Sequence, residues 1–499
     1  MSSNPPASRR LLVVSTALIL AVVLWGLFAP EALGRAAGAA LAFTTRAFGW
    51  FYLWVVLGVV GFCLFLAFSR YGALRLGGEE AEPEYTGFAW FAMLFAAGMG
   101  IGLVFWGAAE PLSHYLAPPP GVAPATPDAA NAAMRYAFFH WGLHPWAIYA
   151  VVALAIAFMA GDDARLSFSV TMRGLGISPQ SRWLPLIDLL AVVATAFGVA
   201  TSLGLGALLI NAGLAKVFGV PMGIGSQIAI IAVATLLFLA SALSGIDRGI
   251  KWLSSANLVL ALALAAAVFL LGPTAAILDT FTSTLGAYAS EFVRMSLRTT
   301  PFRASTWVAD WTIFYWAWWL SWSPFVGLFI ARVSRGRTIR EFVAGALLVP
   351  SIACFVWFAV FGGSALHAEV FGIAPLAASA KADASTAIFH LFDTLPLGTL
   401  LSVAAVLLVL VFFVTSADSA TMVLSMLSVR GDPRPPGWVK LLWGSLLALA
   451  AVSLLLAGGL KAIQTAAIVA ALPFAAVLVL LCWSLYRAVR DEDRERTRR

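Results

Sequence analysis

The amino-acid sequence predicts an all-α, polytopic membrane protein with about twelve transmembrane helices, and three observations carry that prediction. Of 499 residues, 61% are hydrophobic and only 11% charged, with a mean hydropathy of +0.92. A soluble chain carries about a quarter charged residues. The apolar residues gather in blocks, and a helix of ~20 such residues crosses a hydrocarbon core. The basic residues gather instead in alternate connecting loops.

The first block, 11–33, follows Arg9 and Arg10 and resembles a signal peptide. It runs on without a small-residue cleavage site, so it is read as a retained membrane helix. Further spans are expected at 47–68, 88–114, 132–160, 183–210, 226–244 and 251–272. Between 273 and 305, Phe281 and Phe292 mix with Glu291, Arg294 and Arg298, the pattern of an amphipathic helix at the membrane surface or along the bundle. Five more spans follow at 306–332, 341–363, 397–427, 438–458 and 462–486.

The expected organisation is an N-terminal tail with two peripheral helices (1–87), five spans (88–272), an amphipathic connector (273–305), five spans (306–486) and a short tail (487–499). The unusual spans, third and eighth, lie five helices apart, as in transporters built from inverted five-helix repeats. With the N-terminus inside, 22 of the 31 Lys and Arg fall on the cytoplasmic side. The positive-inside rule therefore puts both termini in the cytoplasm. In this setting the net charge of +7 reflects cytoplasmic loops and implies no nucleic-acid partner. Cys63, Cys354 and Cys482 sit in separate apolar blocks and read as packing residues, not a metal pair or disulfide framework. No cluster of catalytic polar groups appears, so an enzyme is not expected.

Within the third span, Gly98, Gly100 and Gly102 alternate around Met99. Each weakens a helix by roughly 1 kcal/mol relative to alanine. The stretch suits either close helix packing or an unwound segment whose free backbone groups line a binding cavity. In the eighth span Trp316, Trp319 and Trp322 share a face, with Trp318 beside them and Pro324 following, where a disturbed helix is expected. The fourth span adds Trp141, Trp146 and Tyr149 around Pro145. One or two tryptophans form an interfacial belt. Aromatic faces gathered from two helices attract a quaternary ammonium group, which has no N–H to donate, by ~2 kcal/mol or more when desolvated.

His140 and His144 lie four residues apart, but without a third ligand they read as interhelical hydrogen-bonding groups and not as a metal site. In the tenth span Thr415 and Ser416 place hydroxyls deep in an apolar helix, suited to a hard cation, and Asp418 follows. Intramembrane acids are paired or functional by default. Arg332 is the expected partner of Asp418, while Glu110 and Asp418 are the candidates should a proton be the coupling ion.

Together GMGIG, HWGLHPWAIY, WAWWLSWSPFVGLFIARVSRGR and TSADSA resemble the betaine/choline/carnitine transporter family, in the right order across nearly the whole chain. The resemblance implies a five-plus-five inverted-repeat (LeuT-like) core with two extra N-terminal helices. It also implies import of a glycine betaine-like solute across the cell inner membrane by sodium symport with alternating access, a transport function and not an enzyme activity. By this resemblance the substrate would meet Trp141, Trp146, Tyr149, Trp319 and Trp322, supported by Trp318 and by Gly98, Met99, Gly100 and Gly102, with Phe325 and Phe329 along the pathway. Sodium, the sole cofactor implied, would use Ala96, Met99, Phe412, Thr415 and Ser416. A second ion site would involve Thr195, Phe325 and Asn257, but Val199 stands where sodium-coupled betaine carriers have a second threonine. Glycine at position 102, where choline carriers tend to have aspartate, favours a zwitterion. The alternative is a proton-coupled or exchange carrier of choline, carnitine or a sulfonium analogue. The family also implies a homotrimer in contact with membrane lipid. The short tail gives no reason to expect strong osmotic gating.

Overall fold

The computed structural model describes residues 6–98, 100–159, 167–178, 180–181, 183–244 and 247–498, with side chains for all of these except 6–8, 95–98 and 247–252. Helices supply the regular structure. Among the described residues the one β-type pairing is a single bridge between Arg75 and Thr338.

Helix α1 (Pro6–Phe28) ends earlier than the expected first span, because Pro30 starts α2 (Pro30–Phe68) in its first turn, where a missing N–H costs nothing. The third span is broken as its glycines suggest: α3 (Gly87–Gly98) stops and α4 (Ile101–Leu116) begins with extended backbone at Gly100. A second break at Gly142 separates α5 (Pro127–Trp141) from α6 (Leu143–Met159). Thr126 caps α5 by accepting from the Ala129 amide, with Pro127 in the first turn.

Three long helices follow, α7 (Leu184–Phe218), α8 (Ile224–Ser244) and α9 (Asp247–Leu271). Then α10 (Thr274–Ser296) buries Ile277, Thr284, Tyr288 and Met295 while exposing Leu278, Leu285 and Val293. It packs along α5.

A π-helical turn at Ala309–Ile313 leads into α11 (Phe314–Val333). Pro324 does not end this helix. The Leu320 carbonyl, which proline deprives of its usual N–H, accepts the Ser323 hydroxyl at 2.7 Å instead. Helix α12 (Ile339–Phe358) opens with a capping box of Thr338 and Glu341. Three short helices, α13 (Ser364–Val370), α14 (Leu376–Ala382) and α15 (Ala387–Asp393), precede α16 (Gly398–Ser428) and α17 (Gly437–Arg498). Gly458 and Gly459 interrupt α17 with φ of 158° and 58°, so it serves as two spans.

Ten helical stretches are long and apolar enough to cross a membrane. Counting the broken α3–α4 pair and both halves of α17 brings the described chain to the twelve spans expected. Helix α7 is the hub, packed on α17, α16 and α11, and α11 packs on α6. Outward faces carry apolar side chains such as Leu236, Val259 and Leu407, while Trp50, Trp183, Trp438 and Trp483 are exposed too. This is the surface a lipid-embedded bundle presents.

Candidate functional site

The break at Gly142 organises the site. Proline at 145 has no N–H for the Trp141 carbonyl four residues back, so the Trp146 indole donates to that carbonyl instead, at 3.3 Å. The neighbouring His140 carbonyl accepts the Trp319 indole of α11 at 3.0 Å. A Cβ on Gly142 would come within 2.9 Å of the Phe355 ring, which keeps this position a glycine.

These bonds assemble four rings. Trp141 meets Trp319 edge-on with centroids 4.8 Å apart, Trp319 meets Tyr149 at 6.3 Å, and Tyr149 meets Trp146 at 5.5 Å. All are buried, with exposures of 3% for Trp141, 8% for Trp319, 4% for Tyr149 and 3% for Trp146. Trp318 stacks on Trp319 at 4.9 Å, and its Nε1 has no hydrogen-bond partner among the described residues. The Trp318 ring lies directly over Gly102, where a Cβ would collide with it.

Trp322 takes a different place from the one expected. Its indole donates to the Gly198 carbonyl of α7 at 2.8 Å and its ring meets Phe325 at 5.3 Å, and among the described residues it makes no ring contact with the other four. Spacing put it on the right helix. One more turn along α11 carries it to the α7 side. Phe329 lies a turn beyond Phe325 and is 40% exposed.

The histidines turn to separate partners. His144 Nε2 meets Ser296 Oγ at 2.9 Å, whereas His140 Nε2 meets Thr312 Oγ1 at 3.0 Å. His140 Nδ1 reaches Glu110 Oε1 at 2.6 Å, and His114 Nε2 approaches the same oxygen at 3.2 Å. The other oxygen of Glu110 accepts from Trp141 Nε1 at 2.9 Å and from the Tyr315 hydroxyl at 2.5 Å. Glu110 is fully buried. His114, Tyr315 and Thr312 are site residues that the sequence reading did not single out. Tyr315 was hidden among the aromatics of α11, and a buried acid such as Glu110 was the signal that could have prompted a search for its donors.

The candidate sodium ligands are less fully described. Met99 lies outside the described residues, and of Ala96 and Gly98 only the backbone is described. On α16, Phe412 is buried, and the Thr415 hydroxyl donates to the Val411 carbonyl at 2.8 Å, with Ser416 adjacent. A Cβ on Gly206 of α7 would meet Phe413 at 2.7 Å and Ile101 at 3.0 Å. The start of α4 and this stretch of α16 therefore meet over one point of α7.

Two expected groupings do not form. No ion pair joins Arg332 to Asp418 among the described residues: α11 packs on α6, α17 and α7, whereas α16 packs mainly on α7, α8 and α9. Nor do Thr195, Phe325 and Asn257 converge. Thr195 and Phe325 lie on the packed α7–α11 pair, while Asn257 is buried on α9, whose chief neighbour is α16. Thr195 donates its hydroxyl to the Ala191 carbonyl at 2.7 Å.

Comparison with known sequences agrees with this architecture. The family described as BCCT, betaine/carnitine/choline family transporter, matches residues 10–494. The glycine betaine transporter OpuD of Bacillus subtilis (strain 168) is 49% identical over 484 residues, covering 96% of this chain and 94% of that protein. An ectoine/hydroxyectoine transporter of Virgibacillus pantothenticus is 46% identical, covering 97% and 96%. Glycine betaine transporter 1 of Vibrio parahaemolyticus is 44% identical, covering 88% and 86%.

Proposed function

The chain belongs to the betaine/carnitine/choline transporter family, and from that premise we propose that it imports a zwitterion of the glycine betaine kind by sodium symport with alternating access. The observation that carries the substrate class is the buried cluster of Trp141, Trp319, Tyr149 and Trp146. Its π faces suit a trimethylammonium group, which offers no ordinary hydrogen bond. The unpartnered Trp318 Nε1 and the N-terminus of α4, whose Gly102 meets the benzo edge of the same Trp318 ring, suit the carboxylate at the other end of such a solute.

Burial of all four rings supports the alternating-access part. A solute reaches such a cage only when helices carrying its walls separate, and the breaks at Gly100 and Gly142 are natural places for that movement. Sodium would sit where α4 and α16 meet, held by the Thr415 and Ser416 oxygens and by backbone carbonyls. Ion and solute would then favour the same conformation, so each would tighten binding of the other by one shared factor. The basic loops favour cytoplasmic termini in the inner membrane of a bacterial cell, and the family resemblance favours a trimer.

The cage is tested by titrating purified protein with glycine betaine and following tryptophan fluorescence. Removing one cage face costs about 2 kcal/mol, so Trp319→Ala is expected to raise Kd roughly thirtyfold. Trp322→Ala, whose ring faces α7, is expected to do less. Equal affinity in wild type and Trp319→Ala would remove the cage as the solute site.

A further inference from the structure

The cage has a charged neighbour behind its wall. We propose that Glu110 sets the cage's preference for cations by placing a negative charge at the N–H edge of Trp141, an inference that rests on the reading of this cage as the solute site.

The protonation pattern follows from the hydrogen bonds. A tryptophan N–H can only donate, and the Tyr315 hydroxyl has its proton free for Glu110, so Oε2 is an acceptor twice over. At Oε1, His140 Nδ1 and His114 Nε2 are the two facing nitrogens. His114 Nδ1 is buried with no hydrogen-bond partner among the described residues. A bare ring nitrogen is tolerable as a lone pair but costly as an N–H of an imidazolium. His114 is therefore neutral, with its proton on Nε2. For His140, Nδ1 faces Glu110 and Nε2 faces the Thr312 hydroxyl, an arrangement that a neutral ring with its proton on Nδ1 satisfies, the hydroxyl then donating to Nε2. The proposal takes both imidazoles as neutral: with one indole and one phenol they then surround a carboxylate, and the cluster carries one net negative charge. The facing atoms of Glu110, His114 and His140 already bond to one another at 2.6 and 3.2 Å.

That charge reaches the cage in two ways. Donation from Nε1 pushes electron density into the Trp141 ring, whose edge meets Trp319 at 4.8 Å. Tyr315, polarised in the same way, stacks on Trp319 at 6.0 Å. Electron-rich faces hold a cation more strongly, and hydrogen-bonded groups in a low-dielectric interior polarise one another. The carboxylate also attracts a cation directly across the Trp141 ring, an interaction little screened where water is absent. Glu110 touches no solute in this arrangement. It acts through Trp141 and Tyr315 as a positioning and tuning residue, and selects for positive charge where shape alone would accept any bulky apolar group.

The test compares glycine betaine with 3,3-dimethylbutyrate, which has the same shape and carboxylate but a neutral tert-butyl head. Both are titrated by tryptophan fluorescence against wild type and Glu110→Gln, which keeps the size and loses the charge. The proposal expects the ratio of betaine affinity to dimethylbutyrate affinity to fall about tenfold in Glu110→Gln. Loss of both affinities by the same factor would show that Glu110 only maintains shape, and would overturn it. Tyr315→Phe provides a second reading should Glu110→Gln not fold. Without its hydroxyl, residue 315 no longer passes the Glu110 charge to Trp319, so the ratio should fall, though by less than in Glu110→Gln. An unchanged or higher ratio in Tyr315→Phe would contradict the proposal. If wild-type protein binds no betaine while remaining folded, the cage reading itself fails, and this inference goes with it.

Discussion

Gly102 carries more of the account than any side chain around it, because the Trp318 ring occupies the space a Cβ would need. Overpacking of this kind costs ~1–3 kcal/mol. Gly102→Ala is therefore expected to weaken solute binding several-fold by tilting Trp318 away from Trp319, measured as Kd on folded, purified protein. Ordinary affinity would mean that Trp318 has room to yield. On α16, replacing Thr415 and Ser416 together by alanine removes both hydroxyl oxygens assigned to sodium. Each lost polar ligand is worth about 1 kcal/mol, so the sodium concentration for half-maximal uptake should rise roughly tenfold or more. Indifference to sodium in wild type and variant alike would move the coupling to another ion. At this scale the sequence revealed residue types well and partners poorly. Trp141, Trp146, Tyr149 and Trp319 were legible because aromatic residues are conspicuous in apolar spans. The direction of Trp322 and the donors on Glu110 depend on how helices rotate against one another, which local spacing does not specify.

Helix breaks are the decisive features among the elements. Glycines around 100, Gly142 with Pro145, and the pair Gly458–Gly459 each interrupt a span, and at the second break the His140 and Trp141 carbonyls accept the Trp319 and Trp146 indoles. Proline alone was a poor guide: α11 runs through Pro324 because Ser323 supplies a substitute donor. The break at the 98–102 glycines was readable because its effect is local, whereas the first and fourth spans were expected to run on through Pro30 and Gly142. No Arg332–Asp418 pair forms among the described residues, because α11 and α16 touch only lightly and pack mainly on other helices. Gly459, at φ 58° and ψ −137°, occupies backbone space that disfavours any Cβ. Gly459→Ala should therefore destabilise the fold by about 1–3 kcal/mol, seen as a lower melting temperature. Gly61→Ala, facing open space on α2, should leave it nearly unchanged or slightly higher. Equal melting temperatures for both variants would mean that the α17 break relaxes without strain.

At the scale of the whole molecule, the buried aromatic cluster lies on α5, α6 and α11 inside a twelve-span bundle, with α7 as a shared scaffold. The fold class was legible throughout, since composition and block length are physical requirements of a bilayer. The central claim is that a gradient of sodium moves a betaine-type solute through this cage, and uptake into proteoliposomes tests it most directly. Labelled glycine betaine should accumulate when sodium is higher outside, and an imposed proton gradient without sodium should not drive it. Accumulation driven by protons and indifferent to sodium would contradict the account.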